Sequence, residues 1–176
     1  MARDAVQGNL FHDVVRTLRA RGRGEKLADS TGASLSGSDV LLRALLLRRL
    51  LRRRFLADDE ETIGLLLPPT AAAVVANLAV ALDRRVTVNL NYTLTPELLN
   101  TCISQASIRH VITSKAFLQK MPLTLDAEFI HLEDLRDMAS STDKVIAAAM
   151  AKIAPLSWLI QHLGLATITP NRLLTI

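Results

Sequence analysis

Aromatic side chains make up only 3% of this 176-residue chain, although 49% of it is apolar. A core must therefore be built from Leu, Ala, Val and Ile. Cysteine is nearly absent: the single Cys102 excludes an internal disulfide and fits a reducing, cytoplasmic compartment. Its place on the apolar side of a helix reads as a small core residue rather than a nucleophile. The opening residues, MARDAVQGNLFHD, lack the apolar run of a secretory signal, so none is expected. Without secretion, the sequon Asn91-Tyr92-Thr93 is a chance match.

Familiar catalytic motifs are missing as well. RGRGEKL departs from GxGxxG after its second glycine, and no Gly-Lys-Ser/Thr phosphate loop occurs. GASLS starts like a nucleophile elbow, but Ser36 stands where the closing glycine belongs. His12, His110, His131 and His162 are scattered, with no metal-binding pair at i, i+4, and Cys102 adds no partner. His131 is near Glu133 and Asp134, but at a strand end, where a surface polar cluster is the simpler reading. No catalytic, cofactor-binding or metal-binding residue is assigned.

What is present is an alternation of apolar segments. Residues 62–82 carry no charge, long enough to suggest a membrane span. Pro68-Pro69 argues otherwise, because proline removes donors and pushes Leu67 out of the helical region. The better reading is a buried strand Ile63–Leu67, a turn, a helix Ala71–Leu82, a solvent-side turn at Asp83-Arg84-Arg85, and a return strand Val86–Leu90. That is one parallel βαβ unit. Upstream, Leu10–Ala20 has helical spacing, RGRGEK is a turn, and Leu27–Asp29 with Ala33–Leu35 forms a hairpin around Ser30-Thr31-Gly32.

Downstream, Thr95-Pro96-Glu97 starts a helix whose expected buried face is Leu98, Leu99, Cys102, Ile103 and Ala106. His110–Thr113 and Glu128–Leu132 read as strands, with a short helix Ser114–Lys120 between them. Acids cluster over Leu125–Asp137. Ser140–Asp143 caps a helix Lys144–Met150; Pro155 interrupts it, and Leu156–Leu163 resumes it. Thr167–Pro170 is a turn or short extended piece, and Leu173–Ile176 starts like a strand. The fold class is α/β: a partial doubly wound, mostly parallel sheet with helices on both faces.

Charge is local. Six arginines between Arg43 and Arg54 exceed the whole net charge of +4, so the rest of the chain is slightly acidic. They lie on a helix spanning about Asp39–Phe55, capped by Ser36 or Ser38. Val40, Ala44, Leu47, Leu51 and Phe55 fall on one face, and Arg48, Arg49, Arg52 and Arg53 on the other. Such a helix either docks on the sheet with a solvated arginine face or rests on anionic lipid. Docking is preferred, because the α/β elements need covering. Nucleic acid is not expected, since no aromatics interleave the arginines.

FHDVVRTLRARG, LADSTGASLSGSDVLLRALLL, IGLLLPPTAAAVVANLAVAL, VTVNLNYTLTPELLNTCISQASIRHVITSKAFLQKM and LGLATITPNRLLTI cover nearly the whole chain in order. In that order they resemble the opening of AMP-binding, adenylate-forming enzymes. The similarity is to acyl-CoA synthetases and acyl-carrier-protein ligases, especially the 2-acylglycerophosphoethanolamine acyltransferase/synthetase type. Two places depart from the family pattern. Gly37 stands where an aromatic is usual, with Asp39 for the common Glu. Asp83-Arg84-Arg85 replaces an Ala/Gly-Gly turn.

The resemblance implies that residues 1–176 are an incomplete amino-terminal portion of an AMP-binding domain. The intact family uses ATP and Mg to adenylate a fatty acid, then passes the acyl group to coenzyme A or acyl carrier protein. Arg172–Ile176 resembles the strand leading into the Ser/Thr/Gly-rich loop whose amides and lysine hold ATP phosphates. That loop, the Mg-binding motif and the catalytic lysine all lie beyond the matched positions. The chain is thus expected to be truncated, to bind no cofactor and to be inactive alone. Asn89, Asn91 and Tyr92 stand where ligands of open sheets gather, and are read as structural. The alternatives are a non-catalytic interaction or membrane-binding module using the Arg48–Arg53 face, and a truncated gene product with no function.

Overall fold

The computed structural model describes residues 10–20 and 24–168. The expected strand at Leu173–Ile176 and part of the RGRGEK turn lie outside the described residues. Helix α1 (Leu10–Ala20) turns Phe11 and Val15 inward. Strands β1 (Glu25–Ala28) and β2 (Ser34–Ser36) pair antiparallel, with Leu27 opposite Leu35. Asp29 organises their turn: one carboxylate oxygen accepts hydrogen bonds from the Thr31 amide at 2.9 Å, the Thr31 hydroxyl at 2.6 Å and the Ala33 amide at 3.3 Å. Gly32 takes φ +86° there, which a residue without Cβ adopts freely.

Helix α2 (Gly37–Arg54) starts with a capping box, in which Ser36 receives the Asp39 amide and Asp39 receives the Ser36 amide. Its buried residues include Val40, Leu41, Ala44, Leu45, Leu47, Leu50 and Leu51, wider than a single stripe. A helix apolar on so much of its circumference must be enclosed, and α2 contacts helices on several sides. Gly37 explains one departure from the family pattern. A Cβ there would lie 2.4 Å from the backbone oxygen of Leu18, so glycine is what lets α1 approach the start of α2.

The main sheet has four parallel strands in the order β4-β3-β5-β6. These are β3 (Thr62–Leu65), β4 (Val86–Asn89), β5 (His110–Thr113) and β6 (Glu128–His131). Helix α3 (Ala71–Leu82) joins β3 to β4, which confirms the parallel βαβ unit. The uncharged run of residues 62–82 is thus strand, turn and helix. No helix among the described residues is long and apolar enough to cross a membrane.

Helix α4 (Pro96–Gln105) follows β4, α5 (Lys115–Lys120) follows β5, and α6 (Leu132–Met138), α7 (Ser141–Lys152) and α8 (Leu156–His162) follow β6. A short 3-10 turn, Leu165–Thr167, closes the described chain. Alternation along the strands splits the core in two. Ile63, Leu65, Ile112 and Ile130 join α2, α3 and the last helices on one face. Leu66, Val88, Val111 and Ile108 join Leu99 and Ile103 of α4 on the other.

Several expectations need correction. Strand β3 ends at Leu65, because Pro68-Pro69 forces the chain out of the ladder early. Leu98 is 51% exposed: α4 turns Leu99 and Ile103 to the sheet instead. The acidic stretch holds a helix, α6, whose periodicity is concealed by its short length; only Leu135 is fully buried.

Of the turn at Asp83-Arg84-Arg85, only Arg84 is on the solvent side. Asp83 and Arg85 are 6% and 7% exposed. Arg85 Nε donates to Asp83 Oδ2 at 2.7 Å, and its Nη1 donates to the carbonyls of Ala57, at 2.9 Å, and Glu60. Arg84 takes φ +62°, the left-handed conformation that a glycine in the usual family turn would adopt more readily.

Asp29 also ties the hairpin to α3. The Ala71 amide, one of the unpaired first-turn donors of α3, donates to its second oxygen at 2.7 Å. The Thr31 hydroxyl and then the Ala71 amide hold this carboxyl at about 2, below its ordinary 3.8. A depressed folded-state value gives stability that is present above about pH 4 and lost as pH falls through about 2. Replacing Asp29 by Asn is expected to flatten the acid limb of thermal unfolding midpoints between these values; an unchanged limb would contradict the tie. Gly37→Ala is expected to cost about 1–3 kcal/mol through overpacking against α1. Urea titration of both glycine variants checks this: Gly24→Ala, where a Cβ meets nothing within 4 Å, should stay within about 0.5 kcal/mol of the unaltered chain.

Candidate functional site at the carboxyl edge of the sheet

In open parallel sheets the ligand crevice forms beyond the carboxyl ends of neighbouring strands whose connections leave on opposite faces. Here those strands are β3 and β5. The chain after β3 runs to α3 on one face, and the chain after β5 runs to α5 on the other. A cavity of about 440 Å³ opens beside them, lined by Asp29, Arg43, Thr70, Ser114, Glu133 and Arg136 among others. A second, of about 410 Å³, lies between the hairpin and α3 and includes Pro69, Asn77 and Asn89.

The polar groups at this edge are engaged with one another. The Thr113 hydroxyl donates to the Leu66 carbonyl at 2.8 Å, joining the two strand ends. Ser114 caps α5 by accepting the Phe117 amide at 3.1 Å. The Glu133 carboxylate receives the Lys115 and Ala116 amides at 3.0 and 3.4 Å, and the Lys115 ammonium pairs with Asp134. The starts of α3 and α5, each a natural seat for an anion, thus carry carboxylates of the chain itself, Asp29 and Glu133.

Asn89 accepts the Asn77 side-chain amide at 3.2 Å. Asn91 folds its own loop by accepting the Thr93 amide at 3.1 Å and hydroxyl at 2.8 Å. Tyr92 packs edge-on against Phe117, ring centres 5.3 Å apart. Cys102 is half-buried against the α4 side of the core. Among the described residues no group of three or more His, Cys, Asp or Glu side chains is arranged to hold a metal ion.

The arginine face is solvated in part, with Arg52 and Arg53 exposed and Arg48 and Arg49 half-buried, and all four are paired. Arg48 and Arg52 reach Asp83 Oδ1 at 3.0 and 3.3 Å, and Arg48 also donates to the Leu82 carbonyl at 3.1 Å. Arg49 and Arg53 both reach Asp143 Oδ1 at 2.7 Å. The other Asp143 oxygen completes the capping box of α7 by accepting the Ser140 amide at 3.3 Å, and it also accepts the Ser140 hydroxyl at 2.7 Å. That hydroxyl, then Arg49, hold the Asp143 carboxyl well below the usual range. The long sequence separation of these partners conceals the pairing.

The structure also forms a cluster that spacing does not reveal. At the opposite, amino edge of the sheet, His110 Nδ1 lies 2.9 Å from Glu60 Oε1, and its Nε2 lies 3.5 Å from Glu128. Arg109 pairs with Asp59 at 2.9 Å beside it. Parallel pairing of β5 with β6 sets His110 opposite Glu128, the one part of this cluster that strand alignment would expose. The other histidines stay apart: His12 is near Asp13, His131 begins α6, and His162 stacks on Trp158.

Comparison with known proteins agrees with this architecture. Residues 16–165 match the AMP-binding enzyme family. Among solved structures, VinN in complex with 3-methylaspartate superposes with a TM-score of 0.67 at 19% identity, covering 94% of this chain and 42% of VinN. A benzoate CoA ligase from Burkholderia xenovorans LB400 gives 0.61 at 25% identity, covering 73% of this chain and 28% of the ligase. The four-domain nonribosomal peptide synthetase holo-AB3403, bound to AMP and glycine, gives 0.67 at 18% identity, covering 84% of this chain and 11% of that one. The chain therefore spans less than half the length of each of these proteins. With the family match running from within α1 through the hairpin, the parallel sheet and the helices α2 to α8, the chain belongs to the AMP-binding enzyme family.

Proposed function

We propose that this chain is the amino-terminal scaffold of an ATP-dependent acid–thiol ligase acting on a fatty acid, and that it does not adenylate by itself. In the reaction proposed for the intact enzyme, the acid's carboxylate attacks the α-phosphorus of ATP and pyrophosphate leaves. The thiol of coenzyme A or a carrier protein then attacks the acyl carbonyl of the adenylate, and AMP leaves.

The observation that carries this reading is the family match over residues 16–165, laid on a parallel sheet with its crevice between β3 and β5. The polar groups at that crevice act on the chain's own backbone. Asp29 and Glu133 hold helix amides, Ser114 caps α5, and Thr113 joins the strand ends. They build the edge of a site and leave phosphate binding to other residues. The fatty-acid assignment rests on the resemblance of VNLNYT and HVITSKAFLQK to acyl-carrier-protein ligases.

ATP–pyrophosphate exchange tests both parts. The isolated chain is expected to show no exchange with a long-chain fatty acid, benzoate or 3-methylaspartate; clear exchange with any of them would overturn the scaffold reading. The coding sequence past Ile176 is an independent check. A continuing frame that encodes a Ser/Thr/Gly-rich loop ending in Lys is the expected result, and a stop codon there would remove the catalytic reading. A longer polypeptide from that frame should exchange only with the fatty acid, and dependence on benzoate or 3-methylaspartate would reassign the substrate.

A further inference from the structure

Away from the carboxyl edge, where α2, α7 and α8 meet, a cavity of about 300 Å³ is lined by Leu45, Arg48, Arg49, Arg52, Arg53, Met150 and His162. Four of those seven side chains are guanidiniums, and none is acidic. The Asp83 turn that anchors two of them leads directly into β4, which places this cavity toward the amino end of the sheet.

The balance of charge around it is unequal. Arg48, Arg52 and Arg85 share the single carboxylate of Asp83. Arg49 and Arg53 share that of Asp143, which is also spent on capping α7. Five guanidiniums therefore meet two carboxylates, each only 3% exposed at the side chain. Arg52 also lies 3.7 Å from Asp58, a carboxylate that is 98% exposed and therefore well screened.

The two buried aspartates act as anchors behind the cavity wall. Arg48 and Arg49 meet them through Nε, whereas a guanidinium has five N–H donors in a rigid fork suited to phosphate. Burial pushes the Arg48 guanidinium below its ordinary value against the pull of Asp83, with Arg52, Arg84 and Arg85 adding to the effect. A further anion would relieve this. His162, the one aromatic ring in the lining, stacks flat on Trp158 with ring centres 4.6 Å apart. The volume is at the small end of ligand sites, which run from about 300 to 1,000 Å³.

We propose that this cavity is an anion site for a terminal phosphate or pyrophosphate group, held by Arg48, Arg49, Arg52 and Arg53 with His162 at its wall. Because the aspartates fix the guanidiniums beforehand, little side-chain freedom is lost on binding. The phosphate can belong to a soluble phosphoester or to the headgroup of a phosphomonoester lipid. The proposal is independent of the adenylation reading: it concerns a different cavity and requires no catalysis.

The test is calorimetric titration of the full chain with inorganic pyrophosphate, alongside spectra of the arginine Nε–H resonances. Saturable binding is expected, with the largest resonance shifts at Arg48, Arg49, Arg52 and Arg53. The double variant R52Q/R53Q, which changes the two more exposed arginines, should bind at least tenfold more weakly while its circular dichroism is unchanged. If that variant does not fold, the resonance map on the unaltered chain decides alone. Absence of binding, shifts spread over basic residues elsewhere, or full affinity in a folded variant would each overturn the proposal. Vesicles of phosphatidic acid distinguish the sources. Displacement of pyrophosphate by them, but not by phosphatidylcholine vesicles, assigns a lipid headgroup; failure of both to displace it assigns a soluble phosphoester.

Discussion

Enclosure of α2 is the constraint on which the rest of this structure depends. Its leucines, each contributing about 1.5–3 kcal/mol when fully buried, face the sheet, α3 and α7 together. A helix so widely apolar leaves Arg48 and Arg49 half-buried and only Arg43 and Arg52–Arg54 exposed. Arg48, Arg49, Arg52 and Arg53 are met by two carboxylates, one in the turn after α3 and one in the first turn of α7. Asp83 thereby fixes the helix of the βαβ unit to α2, and Asp143 fixes the later helices to it. Removing either carboxylate would leave two or more guanidiniums short of a partner at a half-buried interface, where an unpaired charge is costly.

The same economy of groups governs the carboxyl edge. Open α/β sheets collect ligands there because helix N-termini leave donors unpaired. In this chain Asp29 and Glu133 occupy those donors at α3 and α5. The edge is thus a rigid frame, with the hairpin locked to α3 through Asp29 and the ends of β3 and β5 locked through Thr113. A frame of this kind suits a family whose solved members extend well beyond the length matched here.

Much of the fold was legible in local pattern. The Ser36, Thr95, Ser114 and Ser140 caps each sit at the start of the helix that the pattern marks. Pro68-Pro69 separates strand from helix, and Leu10–Ala20 and His110–Thr113 match the observed limits. Helix α6 escaped notice because seven residues with one buried leucine carry little periodicity. Leu98 was misplaced because adjacent leucines at the start of α4 leave its rotation undetermined until the sheet selects Leu99. The arginine partners were invisible because Asp143 lies roughly ninety positions after Arg49 and Arg53.

By itself, then, the sequence determined the order of elements, their caps and the parallel βαβ core, since each depends on contacts within a few residues or on a period of burial. It also limited the chemistry: the histidines and the lone cysteine do not form a metal-binding or nucleophilic set by spacing. Tertiary structure alone decided that Asp83 and Arg85 are buried, that Gly37 admits α1, and that the arginine face closes around a cavity. Those outcomes depend on long-range proximity. A charged side chain acquires its partner, and a glycine its neighbour, only when distant segments are brought together by burial of the apolar surface between them.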